Sequence, residues 1–94
     1  MACLIIRHKV TDFAKWKTMF DAHGDARRQA GSRGGKLYRN ADNPNETLIV
    51  LEWDNVANAR KFTQSPDLQE TMKRAGVADQ PSLFFLDDGE LVKF

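Results

Sequence analysis

The sequence predicts an α+β fold in which strand, helix, strand, strand, helix and strand follow one another. Such a chain closes a four-stranded antiparallel sheet with its helices on one face. Two observations carry that expectation. Apolar residues recur at helical spacing after Asp12 and again from Val56 to Gly76, and runs rich in β-branched and aliphatic residues flank and separate these segments.

"CLIIRHKV", residues 3–10, is the first such run, and the Thr11-Asp12 pair after it is a helix N-cap signal. One amphipathic helix is expected between Val10 and Gly31. At 100° per residue it gathers Phe13, Trp16, Met19, Phe20, His23, Ala26, Arg27 and Ala30 on one side. The glycines of "GSRGG" read as a helix end and a loop. "KLYRNAD" is a short strand, "NPNE" a hairpin turn and "TLIVLEWD" the next strand. "DNVANARKFTQ" places Val56, Ala59, Arg60 and Phe62 at helical spacing. A helix then restarts at "SPDLQETMKRAGV", where Ser65 suits the cap, Pro66 the first helical position and Gly76 the end. "PSLFFLDDGELVKF" supplies the last strand, with "DDG" as a turn or bulge before a short extension. No linker or repeat interrupts residues 1–94, so a single domain is expected. The element order is that of the ferredoxin-like βαββαβ arrangement.

A chain of 94 residues buries a modest fraction of its surface and commonly needs a disulfide, a metal or a partner subunit. The lone Cys3 allows no internal disulfide, and Cys3, His8 and His23 lack the spacing of metal ligands, so no metal is expected. Oligomerisation remains. "MACLII" is too short for a signal peptide and no apolar run is long enough to span a bilayer, which predicts a cytoplasmic protein without a membrane partner. Net charge is +1 with acids and bases interspersed. The cluster from Arg27 to Lys36 is read as a helix end and loop, and no nucleic-acid partner is expected.

The strands are apolar on both faces. Leu48 and Val50 point one way while Ile49, Leu51 and Trp53 point the other; Leu83 and Phe85 likewise oppose Phe84 and Leu86. Helices cover one face only, and the other would expose more apolar surface than monomers usually carry. A homodimer through the open sheet face, closing a dimeric α+β barrel, is the expected solution.

"RHKVTDFAKWKTMFD", "YRNADNPNETLIVLEWD", "ANARKFTQSPDL" and "MKRAGV", in this order, resemble the small stand-alone proteins of the dimeric α/β-barrel superfamily. The likeness is to the antibiotic biosynthesis monooxygenase group, some of whose relatives carry the label "cyclase". It implies a ligand pocket in each subunit, between sheet and helices. It also implies oxidation of aromatic phenols or quinols by molecular oxygen with no cofactor. Haem-degrading relatives use an asparagine on the first strand and a histidine in the second helical region. Here the first strand carries Arg7 and His8 without asparagine, and residues 55–76 contain no histidine, so haem degradation is not implied.

His23 stands on the apolar stripe one turn after Phe20, where an imidazole of ordinary pKa near ~6.5 could take a phenolic proton at neutral pH. Equally, it could be a helix-end histidine bonded to backbone. Arg27 shares its face and could hold an anion, or simply lay its stem over apolar surface. His8 alternates with Ile6 and Val10, which suggests a satisfied core or interface histidine that could also meet substrate. Arg7, on the other face, could pair with Glu52. Phe13, Trp16, Phe20, Phe62 and Met72 would line the gap between helices and sheet as core or as the walls of an aromatic site, with Tyr38 and Trp53 offering polar tips. Cys3 has no adjacent base. Phosphate-loop, serine-elbow and kinase motifs are absent. Two functions fit: a cofactor-independent monooxygenase or cyclase acting on a small aromatic or polyketide-type molecule, or a non-enzymatic dimer that binds a small hydrophobic ligand.

Overall fold

A computed structural model describes residues 2–93, so Met1 of the "MACLII" run and Phe94 of the terminal extension lie outside the described residues. The elements run β1 (Ala2–Lys9), α1 (Phe13–Ala22), α2 (Gly24–Ala30), β2 (Ser32–Arg39), β3 (Glu46–Trp53), α3 (Val56–Thr63), α4 (Pro66–Arg74) and β4 (Ser82–Leu86). The sheet order is β2-β3-β1-β4, with every neighbouring pair antiparallel. This is the ferredoxin-like α+β fold.

Alternation along the strands decides what is buried. Leu4, Ile6 and His8 of β1 and Thr47, Ile49, Leu51 and Trp53 of β3 turn towards the helices and are buried. Trp16 of α1 and Ala59 and Phe62 of α3 close over them. On the other face, Tyr38, Leu48, Phe84 and Leu86 stay exposed. Arg7 lies on that face too, and its Nε donates to Glu46 Oε1 at 3.2 Å rather than to Glu52. The register explains the difference: Glu52 sits opposite Cys3, whereas Arg7 faces Leu48 and reaches the diagonal neighbour. Hydrogen bonds from Arg7 and Asn40 hold the Glu46 carboxyl below the usual range.

The expected helix from Val10 to Gly31 is two helices. His23 adopts φ −88° and ψ 6°, and its N–H donates to the Met19 and Phe20 carbonyls at 3.1 and 3.3 Å. Helical bonding resumes when Arg27 N–H donates to the His23 carbonyl at 3.2 Å. Gly24, a weak helix former, sits at this joint.

"SRGG" is strand rather than loop. β2 starts at Ser32, and its pairing with β3 skips at Arg33, a bulge in which Gly34 takes φ +94°. At Gly35 a side chain would have no room, because its Cβ would stand 1.8 Å from the Val50 carbonyl oxygen. The glycines serve a bulged edge strand that approaches its neighbour closely, which composition alone reads as a loop.

The β2–β3 connection is the expected turn. Asn40 N–H donates to the Glu46 carbonyl at 2.8 Å, and Asn43 Oδ1 accepts from Asn45 N–H at 3.0 Å. Asn55 caps α3 by accepting from Asn58 N–H at 2.8 Å. Ser65 occupies the cap position of α4 but makes no side-chain cap bond, leaving Pro66 as the local start signal. Gly76, at φ +80°, follows the end of α4. After β4, Asp88 turns with φ 53°, yet the expected extension forms no strand within the described residues. Among those residues no helix is long and apolar enough to cross a membrane.

Candidate functional site

Between the helical layer and the β1–β3 strands lies an inner cavity of about 60 Å³. Its floor is Ile6, Ile49 and Leu51; its walls include Trp16, Met19 and Phe20 of α1, Phe62 of α3 and Leu68, Thr71 and Met72 of α4. Three basic side chains reach it: His8, His23 and Arg27. The rings of Trp16 and Phe20 stack 4.9 Å apart, giving a flat, polarisable side.

His8 is 2% exposed, edge-on to Trp16 with ring centroids 5.4 Å apart. It is not the satisfied histidine expected from its alternation, since neither Nδ1 nor Nε2 has a hydrogen-bond partner among the described residues. Burial pushes its pKa down, Asp79 partly opposes that, and Arg7 adds to it. The neutral imidazole, one nitrogen free to accept, is therefore the form present near neutral pH.

His23 packs against Phe62 with ring centroids 5.9 Å apart. Its Nε2 is buried without a hydrogen bond, and the Asp67 carboxylate stands 3.6 Å away. Arg27 is half-buried, donates from Nη1 to the Phe20 carbonyl at 2.8 Å and lays its guanidinium 3.8 Å over the Phe20 ring. Burial lowers its pKa against the opposing pull of Asp21.

Seven of the residues singled out in the sequence thus share one cavity: His8, Trp16, Phe20, His23, Arg27, Phe62 and Met72. Three do not. Phe13 begins α1, lies outside the cavity lining and is covered by the Arg39 guanidinium at 3.7 Å. Tyr38 is on the opposite face of the sheet, because the Arg33 bulge and the pairing of Tyr38 with Leu48 set its alternation. Trp53 is fully buried at the end of β3 against Phe62, filling core rather than lining space. Met19, Leu68 and Thr71 were missed as site residues. The spacing of Met19 to His23 and of Leu68 to Met72, four residues in each case, was the available signal; Thr71, three residues after Leu68, had only that spacing to mark it. Among the described residues no group of three His, Cys, Asp or Glu side chains could hold a metal ion.

A second space, an open groove of about 650 Å³, runs beside the β2 edge and shares Phe20, Arg27, Ile49 and Leu51 with the inner cavity.

The sequence profile of antibiotic biosynthesis monooxygenases matches residues 11–74, about two thirds of the chain. The chain belongs to the antibiotic biosynthesis monooxygenase family. No curated protein sequence matches it at a significant level. Among solved structures it is similar to a Bordetella bronchiseptica protein of the antibiotic biosynthesis monooxygenase type, with TM-score 0.79 and 23% identity over 95% of this chain and 97% of that one. A protein of the same type from Deinococcus radiodurans gives TM-score 0.73 at 18% identity, covering 100% and 98% of the two chains. SnoaB, a cofactor-independent oxygenase from Streptomyces nogalater, gives 0.71 at 16% identity, covering 94% of each. At these identities the structural likenesses establish the fold that this monooxygenase family shares. The cavity found here lies between sheet and helices, where the family resemblance implied a pocket.

Proposed function

We propose that this antibiotic biosynthesis monooxygenase family member is a cofactor-independent oxygenase for a small phenolic or quinol molecule. The observation that carries the reading is a buried, neutral-favouring imidazole, His8, with both ring nitrogens unpartnered in an aromatic-walled cavity. In the proposed step His8 accepts the phenolic proton, and the electron-rich phenolate then passes an electron to dioxygen. At a CH2 carbon conjugated to that phenolate, one oxygen atom becomes the new carbonyl. The other leaves as water with the two hydrogens removed. His23, facing Asp67, holds a second substrate oxygen, and Arg27 supplies positive charge at the cavity wall.

Size restricts the substrate. A benzene ring fills a cavity of roughly 150 Å³ in an apolar core, and the inner cavity offers about 60 Å³. Met19 and Met72 are adaptable walls, and α4 contributes no fully buried residue, so one ring enters by displacing them. The test is oxygen uptake by chelator-treated protein across small phenols, quinols and anthrones. Uptake that needs folded protein, falls about 100-fold or more in His8→Phe and falls less in His23→Ala is the expected result. Binding across the panel without oxygen consumption would instead identify a ligand-binding protein.

The working unit in this proposal is a homodimer joined through the open sheet face. Support comes from Tyr38, Leu48, Phe84 and Leu86, four large apolar side chains exposed on one surface. Light scattering should give twice the chain mass, and Phe84→Glu should give monomers; a monomeric parent protein would rule this out.

A further inference from the structure

The inner cavity offers about 60 Å³, and the space it adjoins has a distinct chemistry. Groove and cavity meet at Phe20, Arg27, Ile49 and Leu51. Gly34 and Gly35 add no side chains to the β2 side of the groove, between Arg33 and Lys36. Its charged lining comprises Lys17, Arg27, Arg28, Arg33 and Lys36 against the single acid Asp21. Two of these cations are already matched, Lys17 by Asp21 and Arg28 by Asp25, the latter at 3.1 Å.

Arg27 and Arg33 have no carboxylate within ion-pair distance among the described residues. For Arg33, on an exposed bulge, water suffices. Arg27 differs because it is half-buried, and its one side-chain hydrogen bond, from Nη1 to the Phe20 carbonyl, leaves Nε and Nη2 uncommitted. Tied to the Phe20 carbonyl and laid 3.8 Å over the Phe20 ring, the guanidinium is held in place with two donors free for an anion. Its fixed planar fork matches a carboxylate.

We propose that cavity and groove form one two-part site for a hydroxy-aromatic carboxylate, the ring seated against Phe20 and the carboxylate held at the junction by Arg27. Arg33 adds a more distant positive field that draws the anion in. The ring's role as the oxidised group rests on the oxygenase reading above. The anion subsite does not depend on it.

The experiment is isothermal titration calorimetry of the full chain with meta-hydroxybenzoate and with its neutral methyl ester, at low and high salt. The acid should bind about tenfold tighter than the ester, the scale of one charge-assisted hydrogen bond. Arg27→Gln should erase that preference, acid and ester then binding equally. Arg33→Gln, on the exposed bulge, should keep the preference and weaken its salt dependence, which supplies a test should Arg27→Gln fail to fold. Equal binding of acid and ester, no binding of the acid at millimolar concentration, or a preference that survives Arg27→Gln overturns the proposal. Preferential acid binding without oxygen uptake supports this site and removes the oxygenase reading; oxygen uptake with equal affinities does the reverse.

Discussion

Replacing His8 with phenylalanine is expected to make the protein more stable and catalytically inert. In the folded chain the imidazole is 2% exposed and neither nitrogen is hydrogen-bonded. An unfolded chain would solvate both. Leaving a buried polar group unsatisfied costs about 1–3 kcal/mol, and a phenyl ring of similar shape removes that loss while retaining the edge contact with Trp16. Denaturant unfolding should therefore show a gain of about 1–3 kcal/mol, together with a turnover loss of about 100-fold or more. A histidine without a catalytic part would show the same gain in stability and leave turnover in proportion to folded protein.

The same residue sets a pH dependence whose sign follows from burial. Its folded pKa lies below the ordinary value near ~6.5, so between the two values the unfolded chain binds more protons than the folded one. Stability is full above ~6.5 and falls as pH drops from there towards the folded pKa. Asp79 moderates the effect and Arg7 strengthens it. His8→Phe should flatten this part of the stability profile, and an unchanged slope would assign it to another group.

Trp53→Ala is expected to cause the largest loss of folding. Trp53 is fully buried and packs 5.3 Å from Phe62 between ring centroids. Truncating a buried aromatic to alanine costs about 3–5 kcal/mol, against a total of about 5–15 kcal/mol for an ordinary domain. Urea titration followed by circular dichroism should show a large fall in midpoint. Trp53→Phe should recover most of it, because the indole Nε1 has no partner to lose. Equal effects of the two substitutions would mean that the indole N–H matters more than the volume.

The layered architecture was readable because the helical apolar spacing was strong, because β-branched and aliphatic runs flank and separate the helical segments, and because the asparagine-rich hairpin has local chemistry. Helical periodicity also brought His23, Arg27, Phe20 and Trp16 together. What was hidden depended on partners distant in sequence. The parity of β2 turns on the bulge at Arg33, so Tyr38 could not be assigned to its face. Whether His8 was satisfied, and how little room the rings left, are decided by packing across six elements.

The joint at His23 has a consequence for how a guest is chosen. One side of the cavity is a hydrogen-bonded sheet; the other includes α2 and α4, short helices without a fully buried residue of their own. Shape selection in such a chamber is elastic. Each candidate molecule is ranked by the work of parting loosely anchored helices from a stiff floor, so affinity should decline gradually with girth instead of stopping at a fixed limit.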